Sequence, residues 1–462
     1  MPDLATVEAK LRQRLDGLLR IPSVSTDPAY AEHMKAAQGY LQNWLRELGF
    51  AEVQVLEGGG HGAVFGQRLD APGRPTVLVY GHYDVQPPDP LELWRSPPFE
   101  PAERDRRLYA RGASDDKGPV AIALGAIEAL LARDGALPVN IKILLEGEEE
   151  IGSRTLPAVV ARHVVLLSAD VVLSADGARW RADLPTVTVA TRGSTGFQFT
   201  VRSAAKDLHS GRYGGAVRNA LHVMSELVAG LHDAEGRVAV PGFYDGIVAP
   251  DAAESDAARK IPFDEAALFR SIGAAPHGEP GRGTLERLWF RPTLDLNGLW
   301  GGYQGPGSKT VIPCEAHAKL TMRLVPGQDP ATVKARVVAH LRTRCPDGVA
   351  LEIEEMRGGA PAYSIPGSHP VLHAMEETLA EVHGVAPLRV RMGATLPVNT
   401  LFREALGIET LMLSYATADE DFHAPNECLR LSAIGEGLRA WCRMLERVGG
   451  LEGLRPSSPP GG

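Results

Sequence analysis

Five short stretches hold the residues whose types and spacing could do chemistry. They are Tyr80-Gly81-His82-Tyr83-Asp84, Ser114-Asp115-Asp116, Glu146-Gly147-Glu148-Glu149-Glu150, Ser174-Ala175-Asp176-Gly177 and Asp419-Glu420-Asp421-Phe422-His423. All offer imidazole or carboxylate donors, and none contains cysteine. Taken singly they decide little: a glutamate run is usually a solvated face, and a lone His-x-Asp is often a hydrogen-bonded core residue. Their recurrence is what carries weight. Imidazole with several carboxylates suits a catalytic divalent cation, zinc first, with manganese or cobalt as alternatives. Two histidines and at least three carboxylates suffice for two ions sharing one bridging carboxylate, with positions left for water. A single zinc would not need so many.

Apolar runs deliver these residues. Thr76 to Tyr80, Val139 to Leu145 and Val171 to Leu173 read as buried strands, each running straight into one of the stretches. Thr410 to Ser414 precedes the last of them. The spacing predicts helices over Leu4 to Leu19, Met34 to Leu48 and Pro119 to Leu131. Strands alternating with helices imply an α/β fold with a mostly parallel sheet flanked by helices. In such sheets ligands bind beyond the carboxyl ends of the strands, so the five loops should converge. The middle of the chain breaks this rhythm. Strands are expected at 186–190, 196–201, 311–323 and 349–354, with helices at 219–232 and 331–342, and 233–290 reads as irregular. The organisation is then a catalytic domain over 1–190 and 391–450, interrupted by an inserted α+β lid and dimerisation domain over 191–390. Residues 451–462, ending Ser-Ser-Pro-Pro-Gly-Gly, read as a flexible tail.

Several motifs in order carry a resemblance. Val79 to Pro87, Tyr109 to Gly118 and Leu145 to Ser153 resemble segments of the M20 family of dinuclear metallopeptidases, which also includes deacylases. Asp207-Leu208-His209-Ser210-Gly211, Lys309 to Pro313 and Met322 to Pro326 are similar to its carnosine-dipeptidase-like branch. The resemblance implies that Asp115 bridges two metal ions, with His82 and Asp176 completing one site and Glu150 and His423 the other. It implies Glu149 as general base and a cis peptide between Asp115 and Asp116. Asp84 would accept the His82 imidazole N–H and fix its tautomer. His209, supplied across a homodimer through the inserted domain, would donate to the developing oxyanion. Arg323 would bind the substrate's terminal carboxylate, with Thr310 and Thr395 as further substrate contacts. One departure stands out: where many relatives have Arg-Glu-Gly-Gly-Ser-Ile-Pro-Val, this chain has Arg391-Met392-Gly393-Ala394-Thr395-Leu396-Pro397-Val398. The expected activity is hydrolysis of a dipeptide or similar small amide with a free carboxylate. An N-acyl-amino-acid deacylase on the same scaffold is the alternative.

Composition excludes other classes. Across 462 residues, 48 Lys+Arg against 57 Asp+Glu give a net charge of −9, which argues against a general nucleic-acid binder. Four cysteines without a C-x-x-C pair exclude a disulfide framework and a thiolate zinc knuckle. No stretch reads as a signal peptide or membrane span, so a cytoplasmic protein is expected.

Overall fold

The computed structural model describes residues 4–356 and 359–454. From residue 455 on, the tail read from the sequence lies outside them. The chain forms two compact units. One takes the chain up to Val189, then Ile365–Val390 and the chain from Leu401; the other takes Ala190–Ser364 and Arg391–Thr400.

The first unit begins with α1 (Leu4–Leu19) and α2 (Ala31–Glu47), followed by a hairpin of β1 (Ala51–Leu56) and β2 (Ala63–Arg68). β3 (Thr76–His82) is buried from Val77 onward. The short strands β4 (Ala102–Arg104) and β5 (Arg107–Tyr109) precede α3 (Lys117–Asp134). α3 is buried on nearly every side, as an Ala- and Leu-rich helix without a polar face must be. It ends at Gly135, whose φ of 71° provides the left-handed cap. β6 (Asn140–Glu146) and β7 (Val171–Ser174) are continuous apolar runs, as expected of strands covered on both faces.

The second unit is built on long antiparallel strands. β8 (Thr186–Thr191) leads in, followed by β9 (Gly193–Arg202), β10 (Leu208–His209), β11 (Thr293–Gly301), β12 (Val311–Ile312), β13 (Glu315–Leu324), β14 (Ala350–Glu355) and β15 (Tyr363–Ser364). Four of these form a sheet in the order β11-β13-β9-β14. β13 alternates strictly at its C-terminal end: Leu320, Met322 and Leu324 are buried in the core, and Thr321 and Arg323 face away from it. Helices Ala220–Ala229 and Pro330–Arg344 cover the apolar face. The stretch 233–290 holds three helices, Ala252–Lys260, Glu265–Ile272 and Thr284–Phe290, where the sequence reading had irregular chain. The first two start at side-chain caps, Asp251 and Asp264.

The chain then returns through helix Pro370–His383, β16 (Leu388–Met392), helix Pro397–Leu406, β17 (Thr410–Met412), β18 (Cys428–Arg430) and helix Leu431–Gly449. The central sheet runs β1-β2-β6-β3-β7-β17. The pairings β6–β3, β3–β7 and β7–β17 are parallel, and the hairpin side is antiparallel. The sheet is therefore mixed, with its parallel half carrying the strands that end in acidic and histidine residues. Residues 365–390, read from the sequence as part of the insertion, belong to the first unit, because helix Pro370–His383 packs on helix Leu431–Gly449. Among the described residues, no helix is long and apolar enough to cross a membrane.

Candidate metal centre

Strand direction does the first part of the work. β3, β6, β7 and β17 run parallel, so the loops that follow them emerge from one edge of the sheet. That edge gathers His82, Glu149, Glu150, Asp176 and the 417–430 loop. Asp115 arrives from the turn before α3, through a cis Asp115–Asp116 peptide.

Two groups of side chains result, each with ligand atoms within 4.8 Å of one another: His82, Asp115 and Asp176, and Asp115, Glu150 and His423. Asp115 belongs to both. Its Oδ1 lies 3.1 Å from His82 Nε2 and its Oδ2 lies 2.9 Å from His423 Nε2. Glu150 Oε2 stands 3.1 Å from His423 Nε2 and accepts from Gln86 Nε2 at 2.9 Å. Glu149 is in neither group. His423, at φ 60°, sits on a loop with two further positive-φ residues, Asp421 and Asn426. The buried carboxylate of Glu420 closes the base of that loop, accepting from Thr417 N at 2.9 Å and from Arg430 N at 2.9 Å.

The electrostatics are those of too much buried negative charge. Burial, reinforced by the charge of Asp176, pushes Glu149 well above the usual carboxylate range. Burial also raises Asp176, to about 6, with Asp115 and Glu150 adding to the effect. Burial works in the same direction on Asp115, but hydrogen bonds from His423 and His82 hold its carboxyl well below the usual range. His423 is pushed up to about 10 by its hydrogen bonds to Asp115 and Glu150.

Asp84 does more than stand beside the His82 ring. The His82 Nδ1 hydrogen bond runs to the main-chain oxygen of Asp84, at 3.0 Å, and the carboxylate Oδ1 stands farther off, at 3.4 Å. The fully buried carboxylate also accepts from Ser25 Oγ at 2.7 Å, Glu149 N at 3.2 Å and Glu150 N at 3.1 Å. It therefore holds the backbone that carries both glutamates.

The other expected residues lie in the second unit. His209 is exposed, and its Nδ1 accepts from Gly211 N at 3.0 Å, which leaves the ring proton on Nε2. Thr310 is its neighbour, since Thr310 O accepts from Ser210 N at 3.1 Å. Arg323 and Thr395 meet directly, Nη1 donating to Oγ1 at 2.9 Å. Arg192 contacts the same loop, its Nε donating to Gly393 O at 2.8 Å. Met392 and Ala394 contribute main-chain oxygens to Arg192 N.

Sequence reasoning missed Glu427 and Arg111. Both are buried, and Arg111 Nη1 donates to Glu427 Oε2 at 2.7 Å. Arg111 lies inside a quoted motif, but nothing local distinguishes Glu427 from a surface acid. Its partners are some 312 to 316 residues away in the chain.

Residues 78–447 match the model of peptidase family M20/M25/M40. The chain is 30% identical over 453 residues to the Cys-Gly metallodipeptidase DUG1 of Candida albicans, covering 94% of this chain and 93% of that one. It is 30% identical over 428 residues to the Beta-Ala-His dipeptidase of Mus musculus, covering 88% and 85%. The M20 family metallo-carboxypeptidase Sso-CP2 from Sulfolobus solfataricus superposes with a TM-score of 0.84 at 30% identity, covering 96% and 99%. The chain belongs to peptidase family M20/M25/M40.

Proposed function

We propose that this chain hydrolyses the amide bond of dipeptides, or of similar small substrates with a free carboxylate, in a reaction that depends on two divalent cations. The observation that carries the reading is the pair of ligand groups sharing Asp115, with Glu149 beside them and in neither. The relatives named above as dipeptidases and a carboxypeptidase favour peptide hydrolysis over the deacylase alternative.

The residues fit a pair of cations. Each group offers imidazole nitrogen and carboxylate oxygen, the donor set suited to zinc, manganese or cobalt. Glu149 and Asp176 stay raised by burial and by neighbouring carboxylates although the His82 charge offsets part of the effect, as expected where cations belong. His82, Asp115 and Asp176 would hold one ion, and Asp115, Glu150 and His423 the other, with zinc the first choice. When bound, the ions supply Lewis-acid polarisation of the scissile carbonyl and a lowered pKa for the attacking water.

The chain's own residues supply the rest. Glu149 takes a proton from the water and returns it to the departing amine. Asp84 keeps Glu149 and Glu150 on adjacent amides, so that one faces the metals as ligand and the other stays free. His209 donates an Nε2–H hydrogen bond to the oxyanion, and its Nδ1 contact with Gly211 favours that tautomer. Arg323 receives the terminal carboxylate with its planar fork, Thr395 fixes that guanidinium and Thr310 offers a hydroxyl beside His209.

The active form is a homodimer through the inserted unit, with His209 serving the partner's centre. The protein works in the cytoplasm, where its four free cysteines are at home. The first unit is the split catalytic domain and the second the inserted lid. A substrate panel tests the activity: dipeptides against N-acetyl and N-succinyl amino acids on metal-loaded protein. Faster turnover of dipeptides is expected, and turnover confined to acylated amino acids would overturn the proposal.

A further inference from the structure

Beyond the ligands themselves, we infer that Glu427 is a positioning residue for both metal-binding groups, acting with Arg111 as the hub that joins the three loops bearing His82, Asp115 and His423. The inference rests on the two-ion reading above.

The hydrogen bonds account for every acceptor site on the Glu427 carboxylate. Oε1 accepts from Ser114 N at 2.9 Å and Asp115 N at 3.1 Å, and Oε2 from Gly112 N at 2.9 Å and Arg111 Nη1 at 2.7 Å. Two oxygens offer about four lone-pair sites, so the carboxylate is filled. Three of the donors are consecutive or near-consecutive amides of the turn that presents Asp115. The turn has a steric reason to need such a tie: Gly112 sits at φ 82°, a conformation that only glycine adopts freely.

The other end of the tie is the His423 loop. Glu427 lies four residues after His423, and its main-chain oxygen accepts from Ala110 N at 3.1 Å. Ser114 Oγ donates to Cys428 O at 2.6 Å, and β18 continues the lacing by pairing with β5. The Asp115–His423 approach of 2.9 Å is thus fixed by contacts made entirely behind it. Arg111 extends the hub to the third loop, its Nη2 donating to Pro87 O at 3.2 Å, five residues after His82. Its guanidinium also offsets part of the cost of burying Glu427 beside Asp115.

The test is calorimetric titration of chelator-stripped protein with zinc and with manganese, beside thermal melts of the same metal-free samples. Wild type is expected to take up two ions per chain. Glu427→Gln keeps the shape but turns an NH2 group against two of the four donors. It should weaken both ions by about 10–100-fold in protein that still melts cooperatively, because Asp115 serves both groups. Arg111→Lys keeps the charge but loses the fork that reaches Glu427 and Pro87 together, and should weaken both ions by a smaller factor. A folded E427Q protein binding two ions at wild-type affinity, with only its melting temperature lowered, would overturn the inference. If E427Q does not fold, wild-type affinity in R111K would overturn it. Fewer than two ions on wild type would instead refute the two-ion reading, before any variant is consulted.

Discussion

Replacing Asp84 separates two ways in which a buried carboxylate could serve this centre. Were it chiefly the acceptor for the His82 imidazole, its loss would be felt as loss of an ion. The contacts favour the other route. The imidazole proton goes to the main-chain oxygen of residue 84 at 3.0 Å, which any side chain leaves in place. The carboxylate holds the amides of Glu149 and Glu150 and the Ser25 hydroxyl. In Asp84→Asn the side-chain oxygen can keep Ser25 and Glu150, while the new NH2 opposes the Glu149 amide. One buried amide without an acceptor costs about 1–3 kcal/mol. If that falls on the placement of Glu149 in the transition state, kcat drops by roughly 10–100-fold, at 1.36 kcal/mol per decade. The assay is kcat on a saturating dipeptide, with ions per chain counted on the same samples and the His82 ring followed by nitrogen NMR. Two ions, an unchanged His82 tautomer and a lowered kcat are expected. Loss of the ion at His82, or an unchanged kcat, would refute the reasoning.

The remaining predictions concern the neighbouring groups. Glu149→Gln should lower turnover by about two to four orders of magnitude while ion content, measured by elemental analysis, stays at the wild-type level, because Glu149 is in neither ligand group. His209→Ala should lower kcat by about two to three orders of magnitude, with ion content unchanged, and steady-state kinetics beside the same analysis would check both. In the metal-free protein, His423 is raised from 6.5 to about 10, foremost by its hydrogen bond to Asp115. Its stabilising contribution is therefore complete below pH 6.5 and is lost as pH rises through about 10. Thermal melts of chelated protein should show Tm falling across that window. Ion uptake near pH 8 should release protons, since the imidazole must be neutral to coordinate.

Much of the centre was legible because the fold puts it where the sequence is loudest. Each buried parallel strand is a short apolar run, and the next residues are His82, Glu149 and Glu150, or Asp176. What stayed hidden is what only tertiary structure decides. Glu427 is an ordinary acid until its four donors, some 312 to 316 residues earlier, fold around it. Asp84 was legible only in part, because spacing shows that it is near His82, but not that its carboxylate also holds the amides of Glu149 and Glu150. The three helices within 233–290 are short, and their apolar positions are too few to set a period, although the caps at Asp251 and Asp264 marked two of their starts. Arg391, on β16 at the start of the stretch that departs from its relatives, is held by Glu254 from the first of those helices and lies 4.4 Å from the Phe290 ring of the third. Helix Pro370–His383 shows how a boundary goes astray: its buried Thr378 and Met375 look the same in sequence whichever core receives them.

The central claim is that two ions, gathered by groups that share Asp115, drive dipeptide hydrolysis. Its most direct test is a titration of chelator-stripped protein with zinc, manganese or cobalt, reading bound ions per chain and dipeptide cleavage on the same samples. No turnover is expected from stripped protein, with full turnover reached as the second ion binds and Asp115→Asn losing both ions and all activity. Undiminished hydrolysis by stripped protein, or two ions bound with no dipeptide cleaved, would contradict the account.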